Sequence, residues 1–146
     1  METIIETIDV FSKTQLEKKV DKLHNETREL LSELGFIEYE IKFLSNLLES
    51  YDFVPHLESM FEESQLLKKD LSIVNKENMK MIVNLHDHDN QLGGMLECND
   101  NDCALDYVCE HNDLIKNINE YIGNYKNIKK RVFSYSNIIL ERKKKH

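Results

Sequence analysis

From Leu16 to Tyr51 apolar side chains recur at alternating intervals of four and three: Leu16, Val20, Leu23, Thr27, Leu30, Leu34, Ile37, Ile41, Leu44, Leu48 and Tyr51, with Thr27 the one polar member. At about 3.6 residues per turn that spacing draws one stripe along a helix, and its regularity is that of a coiled-coil seam. The stripe passes Gly35 in phase, which predicts a single helix there rather than two. A helical glycine costs about 1 kcal/mol relative to alanine, which packing over such a length absorbs. Past Gly35 the apolar face broadens to take in Phe36, Phe43 and Leu47, wide enough for two neighbours.

A second stripe runs Met60, Ser64, Leu67, Leu71, Val74, Asn78, Met81, Leu85, His88, Leu92, with three polar seam positions. Gly93-Gly94 is expected to end it. The third is Ala104, Val108, His111, Ile115, Ile118, Ile122, Tyr125, Ile128, Val132, Tyr135, Ile139. Two successive threes around Tyr125 form a stammer, which overwinds the seam locally.

Boundaries follow from local chemistry. Ser12 and Gln15 have capping-box spacing, and Phe11 and Leu16 fall where a hydrophobic staple would sit. The rival start is near Thr3, with Ile4, Ile5 and Ile8 packing as extra turns. Asp52-Phe53-Val54-Pro55 separates the first two helices, with Pro55 in the first turn of the second. The expected division is an arm or helix extension over 1–11, helices of about 12–51, 55–92 and 102–140, and a basic tail over 141–146. Such helices are each on the order of 55 to 60 Å long. Short connections force neighbours to run antiparallel. The predicted fold is all-α: an elongated antiparallel three-helix bundle with coiled-coil character. The alternative is a looser set of helices that completes its core by forming a homodimer.

Composition agrees. The 146 residues include one Pro and four Gly, too few for a sheet or loop-rich fold. Charged residues make up 32%, as suits the large surface of an extended bundle. The net charge of −8 disfavours nucleic acid and anionic membranes as partners. No window approaches the roughly 20 apolar residues of a membrane span. The opening METIIETIDVF carries acids where a signal peptide carries lysine or arginine, so a cytoplasmic location is expected. Three cysteines in such a chain predict reduced thiols. Abundant Asn, Lys and Ile fit an AT-rich bacterial genome.

Candidate chemistry gathers at one place. Residues 86–115 contain no Lys or Arg, eight acids, all three cysteines (Cys98, Cys103, Cys109) and three histidines (His86, His88, His111). The fold puts them at the turn between the second and third helices. Thiolate and imidazole together suit zinc, but Cys98, Cys103 and Cys109 are spaced unlike paired zinc knuckles. HDHDNQ and CNDNDC lack the glycine and terminal glutamate of a calcium loop. The His86-x-His88-x-Asn90 fragment belongs on a strand end in hydrolases, and no strand is expected. No histidine has Glu three residues before it, as a di-iron bundle requires, and the His-x-x-x-Glu of haemerythrin-like sites is absent too.

The plainer expectation is that His88 and His111 are seam residues that set register, about a turn apart in height. A Cys98–Cys103 disulfide is geometrically possible but unsupported by the expected compartment. The opposite end collects Lys126, Lys129, Lys130, Arg131 and Arg142 to Lys145, the only candidate surface for nucleic acid, with Tyr121 available for stacking. More often such cations complement a helix C-terminus. The reading is a non-enzymatic structural or protein-interaction bundle that binds a protein partner or itself, with no cofactor and no small-molecule substrate evident. The alternative is a metal- or redox-responsive protein acting through residues 86–111.

Overall fold

In a computed structural model the described residues are 2–50, 55, 57–97 and 101–144, with side chains described from Lys18 on the first helix and from Cys103 on the third. Three helices account for them: α1 (Glu2–Glu49), α2 (Glu58–Glu97) and α3 (Asn101–Lys144), with no strand among the described residues. The fold is an all-α three-helix bundle. At 1.5 Å per residue the helices are about 72, 60 and 66 Å long, respectively.

The polar contacts fix direction and register. As the α1 partner moves from His24 to Leu34 to Glu49, its α2 partner moves back from Asp89 to Asn78 to Lys68, so α1 and α2 are antiparallel. Between α1 and α3 the pairs Glu26–His111 and Glu40–Tyr125 keep one offset of 85 residues; these helices are parallel. The path is up, down, up.

The seams read from the sequence are the core. Leu34, Ile37, Ile41, Leu44 and Leu48 of α1 meet Leu67, Leu71, Val74 and Leu85 of α2 and Ile118, Ile122, Ile128, Val132 and Ile139 of α3. A smaller cluster of Leu23, Leu92, Met95 and Tyr107 closes the other end. At the stammer Tyr121, Ile122, Tyr125 and Ile128 are all buried. The overwound seam is filled by an extra aromatic, Tyr121, which no single stripe predicts.

Several expected boundaries move. The backbone of α1 is helical from Glu2, through the capping-box spacing at Ser12 and Gln15, whose side chains lie outside the described residues, as does Tyr51. A capping box stops a helix only if the preceding turn has no reason to be helical, and Ile4, Ile5 and Ile8 supply apolar positions at helical spacing. Gly93-Gly94 does not break α2, which continues to Glu97. Neither glycine takes a positive φ, and Met95 beyond them is buried against Leu23 and Leu92. Tertiary burial holds the last turn. Pro55 lies ahead of α2 rather than in its first turn, and residues 141–144, expected as tail, are the last turn of α3.

Candidate functional site: a polar layer across three helices

The sequence places a histidine on the α2 seam (His88) and one on the α3 seam (His111), flanked by α1 residues that adjoin its own seam at Leu23 and Thr27. The bundle brings these to one level. His88 Nε2 and His111 Nδ1 are 2.9 Å apart, and His111 Nε2 is 2.8 Å from Glu26 Oε2. A carboxylate only accepts, so His111 Nε2–H is the donor to Glu26. In the neutral imidazole that leaves His111 Nδ1 as acceptor of the proton on His88 Nε2. The result is a directed chain, His88 to His111 to Glu26, running α2 to α3 to α1.

Stacking and a third bond tighten it. The His88 and Tyr107 rings stack 4.2 Å apart at 11°, and the Tyr107 hydroxyl donates to the His88 carbonyl at 3.0 Å. Alongside, His24 Nδ1 meets Asp89 Oδ1 at 2.8 Å, a half-exposed bridge between α1 and α2. His88 and His111 are both buried. Burial holds the His88 pKa below the ordinary imidazole value, aided by the neighbouring His111 ring and opposed by Glu110 and Asp89. Burial, with Asp89 and Glu110, pushes the Tyr107 hydroxyl up to about 12.

Two more polar layers lie along the rod. Asn78 Nδ2 donates to the Leu34 carbonyl, and the Tyr121 hydroxyl, with one proton to share, lies 2.9 Å from both Val74 O and Asn78 Oδ1. Further along, Tyr125 and Lys129 both donate to Glu40, at 2.9 and 2.7 Å. Each layer ties at least two helices at one height. Sliding a helix by one turn would leave these buried groups unpaired, at about 1–3 kcal/mol each. Their chemical capacity is therefore to set register.

The sequence-level candidates distribute as follows. His88 and His111 come together, at one level rather than a turn apart, because parallel offset and antiparallel reversal cannot be read from either stripe alone. His86 points outward, exposed. Cys109 is an exposed free thiol. Cys103 is disulfide-bonded, which corrects the expectation of reduced thiols: count and compartment do not say whether two thiols lie within bonding reach, and geometry does. Cys98 lies outside the described residues. Among the described residues no group of three or more His, Cys, Asp or Glu is arranged to hold a metal ion.

At the basic end, Lys129 is paired with Glu40 and Arg131 with Asp70 and Glu63. Lys126, Lys130 and Arg142 are exposed, and Lys145 lies outside the described residues. Tyr121, expected to be available for stacking, is buried in the core. The sequence reading missed Glu26, His24 and Tyr107, and had Asp89 only as one of the eight acids of residues 86–115. Their one signal is adjacency to a seam position, since Glu26 precedes Thr27 and His24 follows Leu23.

No family model, curated protein or solved structure matches this chain. Among the described residues no helix is long and apolar enough to cross a membrane.

Proposed function

We propose that this chain is a non-enzymatic, rod-like protein-interaction module. One observation carries the reading: after three helices have filled their common core, large apolar side chains remain on the outside at helical spacing. Phe36, Tyr39 and Phe43 on α1 are 63%, 77% and 60% exposed, and Phe61, Leu66 and Ile73 on α2 are exposed as well. Contiguous exposed apolar surface on a folded chain marks a site of contact. The polar layers support the reading from the other side. Their histidines, tyrosines and carboxylates are taken up in bonds between helices, whereas an active site needs acid and base converging on an open cavity. A cytoplasmic location belongs with this proposal.

The test is photo-crosslinking in living cells, with a photoreactive residue in place of Tyr39, Leu66 or the exposed polar Asn127. The proposal predicts adducts of discrete mass from Tyr39 or Leu66 and none from Asn127. A folded protein that yields no adduct from either apolar position would overturn it.

A redox-responsive reading has one observation in its favour, the disulfide-bonded Cys103 at the start of α3. Reduction should then lower the melting temperature and loosen the His88 layer. Identical melting with and without reductant would remove it.

A further inference from the structure

The buried layer at His88 lies on a boundary. On every helix it separates two apolar clusters: His88 stands between Leu85 and Leu92 on α2, Glu26 between Leu30 and Leu23 on α1, and His111 between Leu114 and Tyr107 on α3. The clusters are unequal. Among the described residues the larger holds seventeen buried apolar side chains, and the one beyond the layer holds four: Leu23, Leu92, Met95 and Tyr107. The smaller cluster is also less tightly packed. A cleft of about 210 Å³ opens there between Val20 and Leu23 of α1 and Ala104, Leu105 and Val108 of α3. An end with so little apolar contact opens more easily than the rest of the rod, and its attachment depends on what joins it to the larger core.

The layer is that joint. Tyr107 belongs to the end cluster, yet it stacks on His88 and donates to the His88 carbonyl. α1 is tied in through Glu26 on His111 and His24 on Asp89. Charged and titratable groups reach the layer from every helix: Lys22, His24 and Glu26 from α1, Asp89 from α2, and Tyr107, Glu110 and His111 from α3.

These groups do not respond to acid alike. A second proton on His88 would put a full positive charge into the buried stack, 2.9 Å from a nitrogen of the His111 ring. Glu110 and Asp89 offset that charge only in part, and burial outweighs them. His24 works the other way. A proton there strengthens its bridge to Asp89 and holds α1 to α2, so His24 is not the group through which acid would open this end.

We propose that the His88 layer is an acid-sensitive latch: protonation of His88 releases the end of the rod around Leu23, Leu92 and Tyr107 while the larger core stays folded. Opening uncovers Leu23, Leu92 and Met95, so in acid the rod carries an apolar end that is closed at neutral pH. The open end takes up a proton at the ordinary imidazole value of about 6.5, and the closed end resists it. Opening therefore grows as pH falls below that value, by at most about tenfold per pH unit for one proton.

Hydrogen exchange on the full chain at about pH 7 and about pH 5.5, corrected for the intrinsic exchange rate, reads the two sides of the layer separately. Amides of residues 20–26, 89–96 and 104–110 should lose protection severalfold, up to about tenfold. Those of residues 36–48, 67–82 and 118–139 should keep theirs. H88Q should abolish the acid-induced loss, and H24Q should leave it in place. E110Q, an exposed position that tolerates the change even if H88Q does not fold, should move the onset to lower pH, because one charge favouring the proton on His88 is gone. Equal loss of protection on both sides of the layer would overturn the proposal. So would an end that stays protected in acid, an acid-induced loss that persists in H88Q or disappears in H24Q, or an onset that E110Q leaves unchanged or raises.

Discussion

At the scale of single residues the most consequential position is His88. It is buried, stacked on Tyr107 and hydrogen-bonded to His111. Tyr107 and His111 of α3 contact it, Glu110 and Asp89 act on it through charge, and α1 reaches the layer through Glu26 on His111 and His24 on Asp89. With the folded pKa held below the unfolded value of about 6.5, the folded protein resists a proton that the unfolded chain accepts. The stability from neutral His88 is therefore complete above pH 6.5 and declines as pH falls below it. We expect the melting temperature to drop between pH 6.5 and 5. His88→Gln, whose amide can still donate to His111, should show a shallower drop. A wild-type melting temperature that rises through this range would contradict the assignment. The same scale holds two buried hydroxyls without a partner, Ser64 and Ser136, for which the structure offers no physical account.

At the scale of elements, the helices carry glycines they do not need. Gly35, Gly93, Gly94 and Gly123 all lie within helices, none takes a positive φ, and a Cβ at each would meet nothing within 4 Å. Only the conformational cost of glycine in a helix remains, about 1 kcal/mol relative to alanine. Gly35→Ala and Gly123→Ala should each stabilise the bundle by about that amount, raising the melting temperature by roughly 2–4 °C for a chain of this size. Thermal denaturation decides it; a loss of stability would mean that a neighbour does approach these positions. The elements also show what patterning conveys and what it does not. Periodicity found the three helices because burial of one stripe is local to each helix. It left the start of α1 open between Ser12 and Thr3 and misjudged the ends at Gly93-Gly94 and Leu140, because an end depends on what lies alongside. Met95 is buried only because Leu23 of α1 is there to cover it.

At the scale of the molecule, three tyrosines couple the helices to alkaline pH. Burial pushes Tyr107 up to about 12 and raises Tyr121 and Tyr125 further, with Glu40 adding to the shift at Tyr125. An unfolded tyrosine ionises near 10. Stability is therefore unaffected below pH 10 and falls as pH rises from 10 toward 12, where the unfolded chain sheds protons that the folded one keeps. The urea midpoint should drop across that range, and Tyr107→Phe should flatten part of the slope at a cost of about 1 kcal/mol at neutral pH from its lost hydrogen bond. An unchanged midpoint at pH 11 would refute the coupling. The whole molecule also modifies the electrical picture drawn from the chain. The described acids of residues 86–115 lie toward one end, but α1 brings Lys19 beside Met95, Ala104 and Leu105 there. The contrast between the two ends is softer than the α2 and α3 sequences imply.

By itself the sequence determined three helices, their seams and the presence of polar residues on those seams. Each of these is a repeat of about 3.6 residues, which one strand of chain expresses without reference to any other. Tertiary structure alone decided that His88, His111 and Glu26 share a level, that Tyr121 lies inside, that Cys103 is oxidised and that Phe36, Phe43 and Phe133 stay exposed. Those facts depend on the offset between helices, set by mutual packing and by buried donors seeking acceptors across the bundle, and no stripe records the height of its neighbour.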